Sequence, residues 1–181
     1  MYRVFLLSPA HCGGLRARMA CNPNAEFELA CRLRSEGVSL GEMFTFLSGL
    51  YFRGKIAYAT AFMRPPRDLP GVFVITPNRG LLPANTVITL KDLRAFGEVD
   101  IDEENPRYRR PLIRDAQRLA EATGPKCEIV LLGSVATSKY VGALLQVFGP
   151  RLRFPCEFVG RGDMSRGGLM LRCAEIGRAH V

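Results

Sequence analysis

The segment from Cys127 to Phe148 limits the fold more than any other part of the chain. Cys127-Glu128-Ile129-Val130-Leu131-Leu132 is an apolar run too short for a helix, and it predicts a buried strand. Gly133-Ser134 breaks it. Tyr140, Val141, Leu144, Leu145 and Phe148 then recur at helical spacing on one face. Strand, turn and helix in that order make one unit of an α/β sheet. The loop of such a unit sits at the carboxyl end of its strand, the edge where open α/β sheets bind ligands.

Three more strands are predicted, near residues 2–7, 71–76 and 152–159, the last broken or edged at Pro155. Helical patterns separate all four. The expected fold is therefore α/β: a single domain of three layers with a mostly parallel, Rossmann-like central sheet of at least four strands. A chain of 181 residues is long enough to bury a full core in that form. Residues 21–34 read as one helix, ended by Gly37. Ser39-x-x-Glu42 is a capping box that opens a second, carrying Met43, Phe46, Leu47 and Leu50.

The stretch from Tyr51 to Ala59 mixes aromatic and basic residues. It reads as an amphipathic helix with aromatics toward the core and Arg53 and Lys55 toward water, or else as a surface that stacks and pairs with a nucleotide. Arg64-Pro65-Pro66-Arg67-Asp68-Leu69-Pro70 is a connector. Residues 81–86 continue the loop after the second strand, and 87–90 suit a short edge strand. Asp100, Asp102, Glu103 and Glu104 precede a helix opened by Asn105 and Pro106, where negative charge suits the helix dipole. Arg107, Arg109 and Arg110 in its first turns are placed to pair with that acidic cluster.

Each predicted strand ends in a polar, glycine-bearing loop. After the first come Ser8, Gly13 and Gly14, where backbone N–H groups can approach a phosphate or carboxylate, although an ordinary tight turn has the same composition. After the second come Asn78 and Arg79, a polar anchor or a plain turn. After the third come Gly133, Ser134, Thr137, Lys139 and Tyr140. Gly133 and Lys139 have the separation of a P-loop, but Ser138 stands in place of the second glycine and Tyr140 in place of the magnesium-binding hydroxyl, which argues against an NTPase. The hydroxyls and N–H groups there still suit an anion. After the fourth, Gly160–Gly168 is the loop densest in exposed backbone and polar groups; it offers Arg161, Asp163, Ser165 and Arg166. Cys12, beside His11, is a remote candidate nucleophile.

Charge narrows the ligand. The formal net charge is +8, so a phosphate- or carboxylate-bearing partner is attracted, although the arginines are dispersed. The six cysteines show no C-x-x-C pair and no metal-like spacing with histidine; no metal site and no cofactor are expected. No apolar run reaches membrane-spanning length, and the first residues are too short an apolar region for a signal peptide, so the expectation is a cytoplasmic protein away from membranes. Ile176-Gly177-Arg178-Ala179-His180-Val181 can be encoded by the opening of a common short-read sequencing adapter, with Glu175 compatible with the codon before it. Residues 175–181 are therefore expected to be read-through, the native domain to occupy 1–174, and a native carboxyl-terminal segment to be missing. His11 is then the one native histidine.

The middle of the chain carries a family likeness. Leu50-Tyr51-Phe52-Arg53 with Ala57-Tyr58-Ala59, then the run Ile75 to Ile88 with Gly80-Leu81-Leu82-Pro83-Ala84-Asn85, then Leu132-Gly133 and Lys139-Tyr140, resembles a group of small uncharacterised bacterial and phage α/β proteins. The likeness spans roughly residues 45–145, with Thr76-Pro77 and Asn85 departing from the group's pattern. That group is akin to nucleobase-handling, glycosylase-like domains. The likeness implies a nucleotide- or nucleic-acid-associated protein. The first reading is a hydrolase or transferase acting on a base or N-glycosidic bond, in which Asp163 is the first candidate for general base or nucleophile and Arg53, Arg79, Arg161 and Arg166 sit on phosphates. Two alternatives stay open: a non-catalytic nucleic-acid-binding module, and a structural or assembly protein without a ligand site.

Overall fold

The computed structural model describes residues 1–135 and 138–177. At its centre lies β1 (Tyr2–Leu7), a strand whose last four residues are fully buried. It pairs in parallel with β6 (Cys127–Leu132), Tyr2 opposite Cys127 and Leu7 opposite Leu132. On its other side it pairs in parallel with β3 (Val72–Ile75), Phe5 opposite Val72. β7 (Leu152–Arg153) continues the sheet beyond β6, and β4 (Leu81–Pro83) closes the other edge antiparallel to β3. The order β4-β3-β1-β6-β7 has a consequence for function. The chain leaves β1 toward one side and returns to the other, so the strand order reverses between β1 and β6, and a crevice opens beyond their carboxyl ends.

Alternation along β1 assigns its side chains to two cores. Phe5 and Leu7 pack with α3 (Leu40–Ser48), α4 (Leu50–Phe62) and α8 (Asp163–Ile176). Val4 and Leu6 pack on the opposite face with α6 (Pro106–Thr123) and α7 (Ser138–Phe148). α1 (Leu15–Cys21), α2 (Glu28–Ser35) and α5 (Leu90–Gly97) add Ala20, Leu33 and Phe96 to the first core. β2 (Val38–Ser39) and β5 (Val87–Ile88) form a separate two-stranded ribbon. Ser39 caps α3 by accepting from Glu42 N, and Asn105 caps α6 by accepting from Arg107 N, as expected. No helix among the described residues is long and apolar enough to cross a membrane.

Several sequence expectations need correction. The helix expected over 21–34 is confined to α2 from Glu28, with Cys21 ending α1, because Asn22, Pro23 and Asn24 make a turn in which Asn22 Oδ1 accepts from Asn24 N. Residues 81–83 are the antiparallel edge strand β4. Gly80, at φ 63°, makes the tight return possible, since a side chain there would collide with the Pro111 carbonyl. The strand expected over 152–159 stops at Arg153; Pro155 donates no ladder bond and a short 3-10 turn, Cys156–Phe158, follows. The glycine-rich segment read as a loop is helical from Asp163. Thr89 caps α5, a helix the sequence reading passed over, so the edge strand ends at Ile88. Among the described residues, Arg107, Arg109 and Arg110 form no ion pair with the preceding acidic cluster; Arg109 donates to Gln146.

Candidate active site

The crevice between β1 and β6 holds a buried polar cluster. Its floor is Ser8, the first residue past β1, whose N–H donates to Leu132 O at 3.0 Å and so locks it beside the end of β6. From α4, Lys55 reaches into the same place. Its Nζ donates to Ser8 O at 2.8 Å and to Ser8 Oγ at 2.9 Å. Only 1% of Lys55 is exposed. The ammonium also lies over two rings, 4.5 Å from the Tyr51 centroid and 4.7 Å from that of Phe52. Burial pushes Lys55 down to about 7; Asp163 opposes the shift and Arg166 adds to it.

The expectation that Lys55 faces water is therefore wrong, and α4 itself shows the reason. Tyr51, Lys55, Tyr58 and Phe62 stand four, three and four residues apart, on the stripe that faces the sheet. Arg53, two positions from Lys55, points to the exposed side and joins no cluster.

The fourth wall comes from α8. Arg166 is buried, its guanidinium 4.8 Å from the Tyr51 ring centroid, with Nη2 2.5 Å from Asp163 Oδ1 and Nη1 3.4 Å from Gly133 O. Two buried polar atoms of this cluster, Tyr51 Oη and Arg166 Nε, have no hydrogen-bond partner among the described residues. Tyr51 Oη lies near Ser8 but outside hydrogen-bonding geometry; burial raises it to about 12, against the pull of Arg166. The absence of a side chain on Gly133 lets Ser8 and Tyr140 pack close to its backbone. A Cβ there would stand 2.6 Å from Ser8 Cβ, 2.8 Å from Ser8 Oγ and 3.2 Å from the Tyr140 hydroxyl.

Tyr140, itself buried, borders the cluster across Gly133. It also lines a cleft of about 540 Å³ at the same sheet edge, together with Gly13, Lys139, Asp100 and Asp102. The two aspartates shape the approach to α6 as well: Asp102 Oδ1 accepts from Glu104 N and Asp100 O from Asn105 Nδ2. Cys12 is on the cleft wall, but burial raises its thiol to about 12, which leaves it protonated and a poor nucleophile.

The remaining expected site residues divide clearly. Ser8, Gly133, Tyr140, Asp163 and Arg166 converge; Ser134 follows Gly133, half-buried. Gly14 caps α1 beside His11, and Gly13 O accepts from Arg18. Asn78 Nδ2 donates to Ala95 O and Arg79 pairs with Asp92, so both tie β3 to α5 instead of facing the cluster. Arg161 Nε donates to Glu157 O, and Ser165 is exposed on α8. Thr137 lies outside the described residues. Sequence reasoning missed Tyr51 and Lys55, although the four-residue spacing on the apolar stripe was the available signal.

Fold and site together define a class: an α/β protein with a mostly parallel sheet and a buried, cation-bearing cluster at its carboxyl edge. Comparison with known proteins adds no relative, since no family model matches and no curated protein or solved structure is similar.

Proposed function

We propose that the chain is a nucleotide-associated α/β enzyme of hydrolase or transferase type, its ligand seated between the carboxyl ends of β1 and β6. One observation carries the reading: Lys55 and Arg166 are both buried against Ser8 and Gly133 at the point where the strand order reverses. Buried cations beside unpaired donors favour an anionic group, and the net charge of +8 favours its approach. A three-layer, Rossmann-like architecture agrees with the two cores on either face of the sheet. The resemblance of residues 45–145 to a group of small α/β proteins akin to nucleobase-handling domains points the same way. In this reading Asp163, exposed and paired with Arg166, orients that arginine, and Lys55 is the basic group. Six free thiols suit a cytoplasmic setting.

A second reading has its own support. Arg107, Arg110, Arg114 and Arg118 are all exposed along α6, three or four residues apart, and form a basic stripe suited to a nucleic-acid backbone. One experiment separates the two. Nucleoside mono-, di- and triphosphates, and labelled single- and double-stranded DNA and RNA, are titrated across a salt series. The nucleotide reading expects saturable binding of a nucleotide that falls at least tenfold in Arg166→Gln. Steeply salt-dependent nucleic-acid binding that nucleotides do not compete, and that is lost in an Arg110→Ala/Arg114→Ala variant, would replace it.

A further inference from the structure

We propose that Ser8 and Lys55 form a catalytic dyad in which Ser8 Oγ is the nucleophile, Lys55 Nζ is its general base, and the substrate is a phosphate ester or anhydride that enters past Tyr140. The substrate class rests on the nucleotide reading above; the reactivity of the serine does not.

The geometry is that of an activated hydroxyl. Ser8 is held on a rigid element, the end of the central strand, by its own N–H to Leu132 O. Two hydrogen bonds to the same residue, at 2.8 and 2.9 Å, hold Nζ beside Oγ at the distance a base needs to take its proton. A lysine serving only to tie α4 to a strand end would be satisfied by the carbonyl. Here it also engages the hydroxyl, and two buried donors beside it, Tyr51 Oη and Arg166 Nε, have no partner among the described residues. Such donors suit the oxygens of a phosphoryl group on which charge builds during attack. Gly133 lets Ser8 Oγ and the Tyr140 hydroxyl approach the same backbone closely, and Tyr140 is the residue that both borders the cluster and lines the cleft.

The groups facing Lys55 agree with a base. Tyr51 and Phe52 come from its own helix, Ser8 from the end of β1, and Asp163 and Arg166 from α8; burial among them lowers the amine to about 7, so that it can be neutral near that pH. In the reaction the neutral amine takes the Ser8 proton as Oγ bonds to phosphorus. The phosphorus–oxygen bond to the leaving group breaks, and the Lys55 ammonium returns the proton to the departing oxygen. Water then attacks the phosphoserine and gives its proton to Lys55. The Ser8 oxygen leaves and recovers that proton.

Diisopropyl fluorophosphate tests the dyad on the whole chain. Ser8 Oγ would bond to phosphorus, fluoride would leave, and the proton would pass to Lys55. Mass spectrometry of digests is expected to find one adduct, on Ser8, forming faster as pH rises from 6 to 8. Ser8→Ala is expected to show none, and Lys55→Met at least a hundredfold slower labelling. Lys55→Arg keeps a cation without a base and is expected to be equally slow. No adduct on wild-type Ser8, or equal labelling in a folded Lys55→Arg, overturns the proposal. Should both Lys55 variants unfold, adduct mapping and the pH profile of the wild type decide alone, and a flat profile sinks the base. Nucleotide binding without any Ser8 labelling defeats the dyad and leaves the nucleotide reading standing. Labelling without nucleotide binding does the reverse.

Discussion

Gly54 of α4 and Gly167 of α8 touch through their backbones: a Cβ on Gly54 would stand 2.5 Å from the Gly167 carbonyl oxygen. This contact sets the crossing of the two helices, and the residues on either side of it are the ones that build the cluster. Tyr51 and Lys55 flank one glycine; Asp163 and Arg166 precede the other. Gly54→Ala is expected to destabilise the protein. Overpacking costs about 1–3 kcal/mol, against a gain of about 1 kcal/mol in helix propensity. Since nearby atoms are backbone and cannot swing away, the loss prevails. A urea melt checks this; on the proposed nucleotide reading, affinity should fall with it as the two halves of the cluster separate.

Lys55 gives stability a pH dependence of known sign. Its folded value, about 7, lies below the ordinary lysine value of 10.5, so between these the unfolded chain binds more protons and stability rises with pH. The slope approaches about 1.4 kcal/mol per pH unit. Above about pH 9 the buried Cys12 thiol and Tyr51 phenol, both raised to about 12, act in the opposite sense, because the unfolded chain then loses their protons first. Urea midpoints at pH 7, 8 and 9 should climb for the wild type. In Lys55→Met the climb should vanish.

Tyr108 is fully buried in α6, and its hydroxyl finds no partner among the described residues. Burial keeps the phenol protonated well above its ordinary value. Tyr108→Phe removes a desolvated group at no cost in shape, so it is expected to be neutral or stabilising by up to about 1 kcal/mol. A clear loss of stability would mean that the hydroxyl has a bond to gain.

Arg79 is a tether between β3 and α5 through its 3.3 Å pair with Asp92, in which the arginine side chain is 44% exposed. Arg79→Ala should cost less than about 1 kcal/mol in thermal or urea melts. On the proposed nucleotide reading, affinity should stay within twofold of wild type. A tenfold loss would return Arg79 to the ligand site.

The sheet was readable because its strands are short, continuous apolar runs: residues 2–7 and 127–132 match β1 and β6 end to end. Capping chemistry located α3 and α6 equally well, through Ser39 and Asn105. What local pattern hides is which helix meets which. Gly167 and Gly168 signal exposed backbone when read alone, yet Gly167 is buried because Gly54, over a hundred residues earlier, receives it. Charge points Lys55 to solvent; the polar groups that receive it, Ser8, Asp163 and Arg166, are all distant from it in sequence, whereas Tyr51 and Phe52 of its surroundings are near. Asn78 and Arg79 show the converse. Their turn chemistry resembles an anchor for a ligand, and only the position of α5 reveals that the anchor holds the protein itself.

The central place of β1 also shapes how the chain must be made. β1 is synthesised before both of the partners that flank it, which begin at Val72 and Cys127. At about 5–20 residues per second, the second flank leaves the ribosome roughly 6–25 s after the first strand does. During that interval Val4, Phe5, Leu6 and Leu7 have no finished sheet to enter, and neither core can close. Nascent chains of this protein should therefore depend on chaperone shelter until β6 emerges. A ribosome stalled before Cys127 should display an amino terminus that proteases cut, and one stalled well past Leu132 should not.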